Sequence, residues 1–300
     1  MRSIVKQSID KARKFLARPV LNAMARAPHS NDAAAQILLQ LEYARLLREG
    51  APLPRIKDVG FRVYSQSDED GILLFLFSII GATNKTCLEM CAGDGVECNT
   101  ANLILNHGWN ALLFDGDARN VADGNKFYAA SRDTFIHPPF FVHSWITRKN
   151  INGLVKDHGL ESEIDLFSLD MDGVDYWIWQ ALTVVAPRVV VLEYQDILGP
   201  GRSCTVPYAD DFNAAKYPVT SGMPNFAGAS LAAFVKLGES KGYRLVGVNR
   251  YGYNAFFVRN GIADKILPRV DVKSCFSHPK NIQGMRERFP TVKDLPWLDV

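Results

Sequence analysis

LEMCAGDGVECNT, Leu88 to Thr100, is the stretch that decides the fold: an apolar strand runs into a carboxylate-bearing glycine turn and then the start of a helix. Gly93 and Gly95 lack a β-carbon, so they permit the positive φ of a tight strand-to-helix turn and let a ligand lie against the main chain. Glu89 stands four residues before Gly93, and Asp115 closes the next strand-like run, ALLFD, twenty residues after Gly95. Carboxylates at two successive strand ends beside a glycine turn describe a nucleoside-sized cleft.

The loop chemistry narrows the ligand. A pyrophosphate-binding turn requires G-x-G-x-x-G, and here the third position is Cys98. Asp94 and Glu97 add negative charge where a pyrophosphate would rest on the helix N-terminus, which disfavours NAD or FAD. S-adenosylmethionine carries no phosphate and presents a sulfonium and an ammonium, so an acidic strand end and loop suit it.

Outward from this turn, composition sets the class. The chain has 300 residues, 47% of them hydrophobic, enough for one large globular domain with extensions. A net charge of +2 gives no preference for polyanions, and no concentrated basic groove is evident, so nucleic acid is not the expected partner. The apolar run Ile72 to Ile80 is about half of the roughly 20 residues a bilayer helix needs. Five cysteines without C-x-x-C, and six histidines without zinc spacing, fit a reducing cytosol and hence a cytoplasmic location.

Residues 1–60 read as a helical N-terminal extension. Val5, Ile9, Ala12, Leu16 and Val20 form one apolar stripe, surrounded by Arg2, Lys6, Lys11, Arg13, Lys14 and Arg18. Two readings stand for it: contact with a membrane surface, peripherally, or packing on the domain or in an oligomer. A second helix is expected from a cap near Asn31 or Asp32 to Arg48. Residues 61–260 alternate strand and helix, with strands over Thr86–Met90, Ala111–Asp115, Phe140–Ser144, Asp165–Asp170 and Arg188–Tyr194. Arg244–Val248 and Asn254–Arg259 follow, joined by a connection too short for a parallel crossover, so they should be antiparallel. The expected architecture is α/β, with five parallel strands plus an antiparallel pair. Residues 261–300 read as a tail, and the irregular 196–226 as a lid or binding loop.

Taken in order, YSQSDEDGIL (64–73), LEMCAGDGVECNT, GWNALLFDGD (108–117), IDLFSLDMDGVDYWIW (164–179), RVVVLEYQ (188–195), TVPY (205–208) and FAGASL through GYNAFFVR (226–259) resemble the FkbM-like class I methyltransferases. The resemblance covers roughly residues 60–260. It implies a Rossmann-like methyltransferase sheet binding S-adenosylmethionine at the carboxyl ends of its strands. Glu89 would then orient the donor's ammonium, directly or through water and the Gly93 backbone. Gly93 and Gly95 would accommodate its carboxypropyl chain, and Asp115 would accept hydrogen bonds from both ribose hydroxyls. Capping of the next helix is the alternative role for Asp115. Gln66, with Glu69 and Asp70, would close over the donor, and Ser144 and Trp145 would border the adenine.

On the acceptor side, Asp170-Met171-Asp172-Gly173 ends the fourth strand, where a methyltransferase faces the transferred methyl. An N-P-P-Y-type element is absent there; His137-Pro138-Pro139-Phe140 precedes the third strand and reads as a turn. Asp170, Asp172 and Glu193 offer hard oxygen ligands for Mg²⁺, which would lower a hydroxyl's pKa. His143 and Asp172 are the candidate general bases. In the long loop, Arg202, Tyr208, Lys216 and Tyr217 either grip a polar acceptor or pack the loop. The expected activity is O-methylation of a sugar, glycan precursor or polar natural product. The rivals are an NAD-dependent oxidoreductase and a non-catalytic binding protein on the same fold.

Overall fold

The computed structural model describes residues 32–300; the basic apolar stripe between Val5 and Val20 lies outside the described residues. Seven strands form the central sheet: β1 (Thr86–Met90), β2 (Asn110–Asp115), β3 (Phe140–His143), β4 (Ser162–Leu169), β5 (Val185–Glu193), then, after three two-residue strands β6 (Cys204–Thr205), β7 (Val219–Thr220) and β8 (Met223–Pro224), β9 (Tyr243–Val248) and β10 (Asn254–Arg259). Their order across the sheet is β3-β2-β1-β4-β5-β10-β9. β10 runs antiparallel to both β5 and β9, and all pairings from β3 to β5 are parallel. This is the mixed, methyltransferase-type Rossmann-like sheet expected from the sequence.

Two faces of the sheet seed two cores because successive strand side chains point to opposite sides. Leu88, Leu112, Phe114, Phe167, Val190 and Phe257 belong to one core, packed under α5 (Ile151–Asp157), α6 (Asp175–Ala181) and α7 (Leu231–Ser240). Cys87, Leu113, Leu166, Val191 and Phe256 belong to the other, under α1 (Asp32–Glu49), α2 (Glu69–Ile80), α3 (Ala101–His107) and α4 (Ala118–Ala130). The apolar run within Ile72–Ile80 is therefore a core helix, and among the described residues no helix is long and apolar enough to cross a membrane. Each fully buried Leu or Phe contributes about 1.5–3 kcal/mol relative to exposure.

Strand boundaries differ from the sequence reading chiefly at the starts of β4 and β5. The polar opening Ser162-Glu163 and Pro187 disguise residues that are paired, with Ile164 opposite Pro187. Asp165, fully buried near the start of β4, explains the early pairing. It accepts backbone hydrogen bonds from Thr83, Asn84 and Lys85 just ahead of β1 and pairs with Arg188 of β5 at 2.8 Å.

The residues after 260 are structured and wrap back onto the domain. α8 (Pro279–Glu287) packs on the 3₁₀ turn Asp196–Leu198, and β11 (Leu298–Asp299) pairs with β6. Buried Arg288, just past α8, ties to Asp196 and to Asn225 and Pro224 of the long loop.

Candidate active site

Strand order reverses between β1 and β4, since the chain runs outward through β2 and β3 and then returns to β4. Ligands of open α/β sheets bind at the carboxyl ends of strands at such a switch point. The loop after β1 and the loop after β4 meet there.

The β1 loop is built from left-handed residues. Cys91, Gly93 and Gly95 all have positive φ, 60°, 58° and 72°. The two glycines serve different ends. A β-carbon on Gly93 would meet nothing within 4 Å, so the space on that side of the turn is open, although Gly93 borders neither of the two cavities beside the β4 loop. One on Gly95 would lie 2.9 Å from Phe141 and 3.0 Å from Tyr128. Gly95 is thus required by packing under the turn, and the expectation that it lines the donor chain passes to Gly93 alone.

Asp115 sits where β2 ends and is 8% exposed. Its Oδ2 accepts from the Gly93 amide at 2.9 Å, and its Oδ1 accepts from the Asp117 amide and the Asn120 side chain. It couples the glycine turn of β1 to the end of β2. The cap of α4 is Asp117, whose side chain accepts from the Arg119 amide, so the capping role considered for Asp115 belongs two residues on.

Glu89 departs from its expected part. Oε1 accepts from the Asn99 amide and Ser168 Oγ, and Oε2 from the Thr100 amide and hydroxyl. A carboxylate has about four acceptor positions, and all are taken inside the protein. Direct contact with a ligand ammonium is not what this geometry offers; Glu89 instead fixes the end of the glycine loop against β4. Glu69 and Asp70 are likewise internal. Glu69 accepts from the side chains of Asn249 and Asn254, and Asp70 from the amides of Val63, Tyr64 and Ser65. Of that segment only Gln66 is exposed and reaches the cleft.

Two cavities flank the β4 loop. One, of about 120 Å³, is bordered by Gly116, Ser144, Trp145, Met171, Val174 and Phe212. Ser144 is held there by donating its amide to Asp115 O, and Trp145, 59% exposed, donates its indole N–H to Asp210 O at 2.7 Å. The second, of about 300 Å³, has Asp170, Asp172, Asp175 and Glu193 on the sheet side and Tyr253, Lys280 and Arg288 among its other walls. Met171, Gly173 and Val174 face the first cavity while Asp170 and Asp172 face the second, so one short loop partitions the cleft.

Oxygens of Asp170, Asp172 and Glu193 all lie within 4.8 Å of one another. Burial, together with the charges of Asp172 and Asp175, pushes Asp170 up to about 7 despite its hydrogen bond with Glu193. Glu193 is raised well above the usual carboxylate range, by burial and then by Asp170 and Asp172. Asp172, held at φ 50° and exposed, is raised by partial desolvation. Two buried carboxyls sharing a hydrogen bond influence each other's protonation, so the pair titrates as a unit. Asp175 accepts from the Met171 and Gly173 amides and shapes the loop. Burial raises the Cys91 and Cys98 thiols well above their usual value, which makes them packing groups.

His143 lies elsewhere. It ends β3, the edge strand, with β2 and β1 between it and β4, and its Nε2 is 3.1 Å from Gly116 O. Neighbouring strands are about 4.8 Å apart, which puts His143 on the far side of the cleft from the carboxylates. The general-base expectation for it does not fit this placement, and Asp172 is left as the exposed carboxylate at the cluster. Of the loop cations and tyrosines, Arg202, Tyr208 and Tyr217 are committed to packing, while Lys216 is exposed. Arg202 stacks on Phe289, Tyr217 on Phe212, and Tyr208 donates to Asp210 while its ring lies under Arg148.

Sequence reasoning missed Lys280 and Arg288, which lie beyond the stretch of recognisable motifs, and Asp196, which binds Arg288. Periodicity gives no signal there, because α8 is short and mostly polar.

No protein-family model and no curated protein matches the chain. Among solved structures it is similar to the CcbJ methyltransferase from Streptomyces caelestis (13% identity, 68% of this chain and 96% of that one, TM-score 0.41). It is also similar to the glycopeptide N-methyltransferase MtfA with S-adenosylmethionine (11%, 60% and 84%, 0.37). A third likeness is to the magnesium protoporphyrin IX methyltransferase from Synechocystis PCC 6803 (11%, 58% and 69%, 0.35). Likenesses at this level carry no functional weight, and the strand order and the cleft stand without them.

Proposed function

We propose that the protein is an S-adenosylmethionine-dependent methyltransferase that methylates a hydroxyl of a sugar, glycan precursor or other polar natural product. The observation that carries this reading is the pairing of Gly93, unobstructed where a β-carbon would stand, with Asp115 at 2.9 Å, at the switch point of the sheet. Gly93 would admit the donor's aliphatic chain, and the Asp115 carboxylate, partly freed from its local bonds, would accept from the vicinal ribose hydroxyls. Ser144, Gly116 and the exposed Trp145 ring provide a flat, mostly apolar niche for a base. This order of groups directs a bound donor's methyl toward the carboxylate cavity.

The donor supplies an activated methyl on a positively charged sulfur. Transfer breaks the carbon–sulfur bond as the acceptor oxygen forms its bond to carbon, and the hydroxyl proton leaves to a base. Asp172 is suited to receive that proton, being exposed at the cavity, with a carboxyl whose basicity partial desolvation raises. Asp170 and Glu193, behind it, stabilise the positive charge that passes from sulfur. The same three residues fit a divalent cation, being hard oxygen donors within 4.8 Å of each other. Bound Mg²⁺ would lower the hydroxyl's pKa at that place. Cys98 in place of the third glycine of a pyrophosphate turn, with Asp94 in the same loop, keeps the nicotinamide reading second; Glu97 is paired with Arg62 at 2.9 Å.

Incubation with methyl-labelled S-adenosylmethionine and a panel of hydroxylated acceptors should yield a labelled product stable to alkali, as an ether is and an ester is not. Absence of transfer to any hydroxyl would leave a binding protein. Activity that survives exhaustive chelation would remove the metal from the mechanism.

A further inference from the structure

The larger cavity is walled by five carboxylates, Asp170, Asp172, Asp175, Glu193 and Asp196, and by only two cations. Arg288 is spent: its guanidinium pairs with Asp196 at 3.3 Å and donates to Asn225 and Pro224. Lys280 is different. Among the described residues no carboxylate lies within ion-pair distance of its ammonium, which rests 4.4 Å from the centre of the Tyr253 ring. Asp196 is near enough to feel its charge but is already bonded to Arg288 and Asn281.

Rigid groups hold the backbone of this lysine in place, and the Tyr253 ring flanks its ammonium. The amide of Lys280 donates to His278 Nδ1 at the cap of α8. Next to it, the Asn281 side chain donates to Tyr251 O, Gly252 O and Asp196, locking α8 onto the β9–β10 turn. That turn carries Tyr251 and Tyr253, stacked with an interplanar angle of 1° and centroids 6.4 Å apart. A preorganised ammonium beside an aromatic face binds an oxyanion at less entropic cost than a free surface lysine does.

We propose that Lys280 is a specificity-determining residue of the acceptor pocket, and that the acceptor carries, besides its reacting hydroxyl, a carboxylate or phosphate that docks on the Lys280 ammonium. The inference deepens the methyltransferase reading and rests on it for the identity of the pocket, and the test separates the two.

The full chain is loaded with S-adenosylhomocysteine, whose own affinity is recorded by calorimetry, and then titrated with glucuronate, glucose 6-phosphate and glucose. Saturation-transfer NMR reports binding. At least one anionic sugar is expected to bind about tenfold or more tighter than glucose, a step worth one hydrogen-bonded charge contact. That preference should vanish in Lys280→Met and return in Lys280→Arg, with S-adenosylhomocysteine affinity unchanged in both. The uronate and the phosphate arms identify which oxyanion the site takes. Equal binding of glucose, no binding of any of the three, or a preference that persists in Lys280→Met overturns the proposal. Loss of S-adenosylhomocysteine binding in the unmodified protein would instead strike the methyltransferase reading, whatever the sugars do.

Discussion

Asp165 and Asp170 stand five residues apart, one inside β4 and one just past its end, and the protein treats them in opposite ways. Burial alone would raise Asp165, but the Arg188 guanidinium and the Thr83, Asn84 and Lys85 amides outweigh it and hold its carboxyl below the usual value. For Asp170, burial and the charges of Asp172 and Asp175 outweigh the hydrogen bond with Glu193, and it is pushed up to about 7. The first arrangement fixes the amino end of the sheet. The second stores unfavourable electrostatics at the carboxyl end, which is where chemistry needs a proton acceptor near neutrality.

The largest expected effect lies at the fixed end. Asp165→Ala leaves Arg188 buried without its counter-charge and should cost about 3–5 kcal/mol in urea unfolding at neutral pH. The sign with pH follows from the depressed pKa: the ion pair's contribution is present above the unfolded value near 4 and is lost as pH falls through the folded one. A wild-type protein whose stability does not decline below about pH 4 would break the contrast.

Next come the two glycines. Gly95→Ala drives a methyl into Phe141 and Tyr128 at positive φ and should cost about 2–3 kcal/mol, seen as a lowered Tm.

At the reactive end the sign reverses. Asp170→Asn removes a carboxyl raised on folding, so it should add about 1–2 kcal/mol at pH 8 while transfer is lost. The stabilising effect should fade toward pH 4, because the unfolded carboxyl also holds its proton there. For wild type, kcat should rise through about pH 7 as Asp170 gives up its proton while Glu193, raised well above the usual range, keeps its own. Destabilisation by Asp170→Asn at pH 8 would show that Asp170 is a structural carboxylate like Asp165.

The smallest change in stability is expected for Gly93→Ala, about 1 kcal/mol from backbone strain alone, with the loss falling on ligand affinity. Equal damage to fold and binding at both glycines would erase the distinction between them.

Much of this was legible in the sequence. Thr86–Met90 and Asn254–Arg259 are strands at the expected bounds, because short apolar runs between glycine turns and helices have one economical reading. The short NRYGY connection foretold the reversed strand. Other features depend on side-chain bonding that no spacing reveals. Glu89 sits where a ligand-facing carboxylate was expected, yet Asn99, Thr100 and Ser168 saturate it. His143 stands at the carboxyl end of a strand, as the reactive carboxylates do, but the sheet order sends β3 to the edge and β4 to the centre. Lys280 and Arg288 reach the cleft from a segment with neither periodicity nor motif, through tertiary contacts that only the folded chain displays.

The central claim is that the cleft bounded by Gly93 and Asp115 seats an S-adenosyl donor. Calorimetric titration with S-adenosylhomocysteine, of wild type and of Asp115→Ala shown by circular dichroism to be folded at the assay temperature, tests it most directly. Binding to wild type weakened at least about a hundredfold in the variant, as expected for losing a charged double hydrogen bond, is the predicted result. Equal affinity in the two proteins, or binding of NAD in place of S-adenosylhomocysteine, would contradict it.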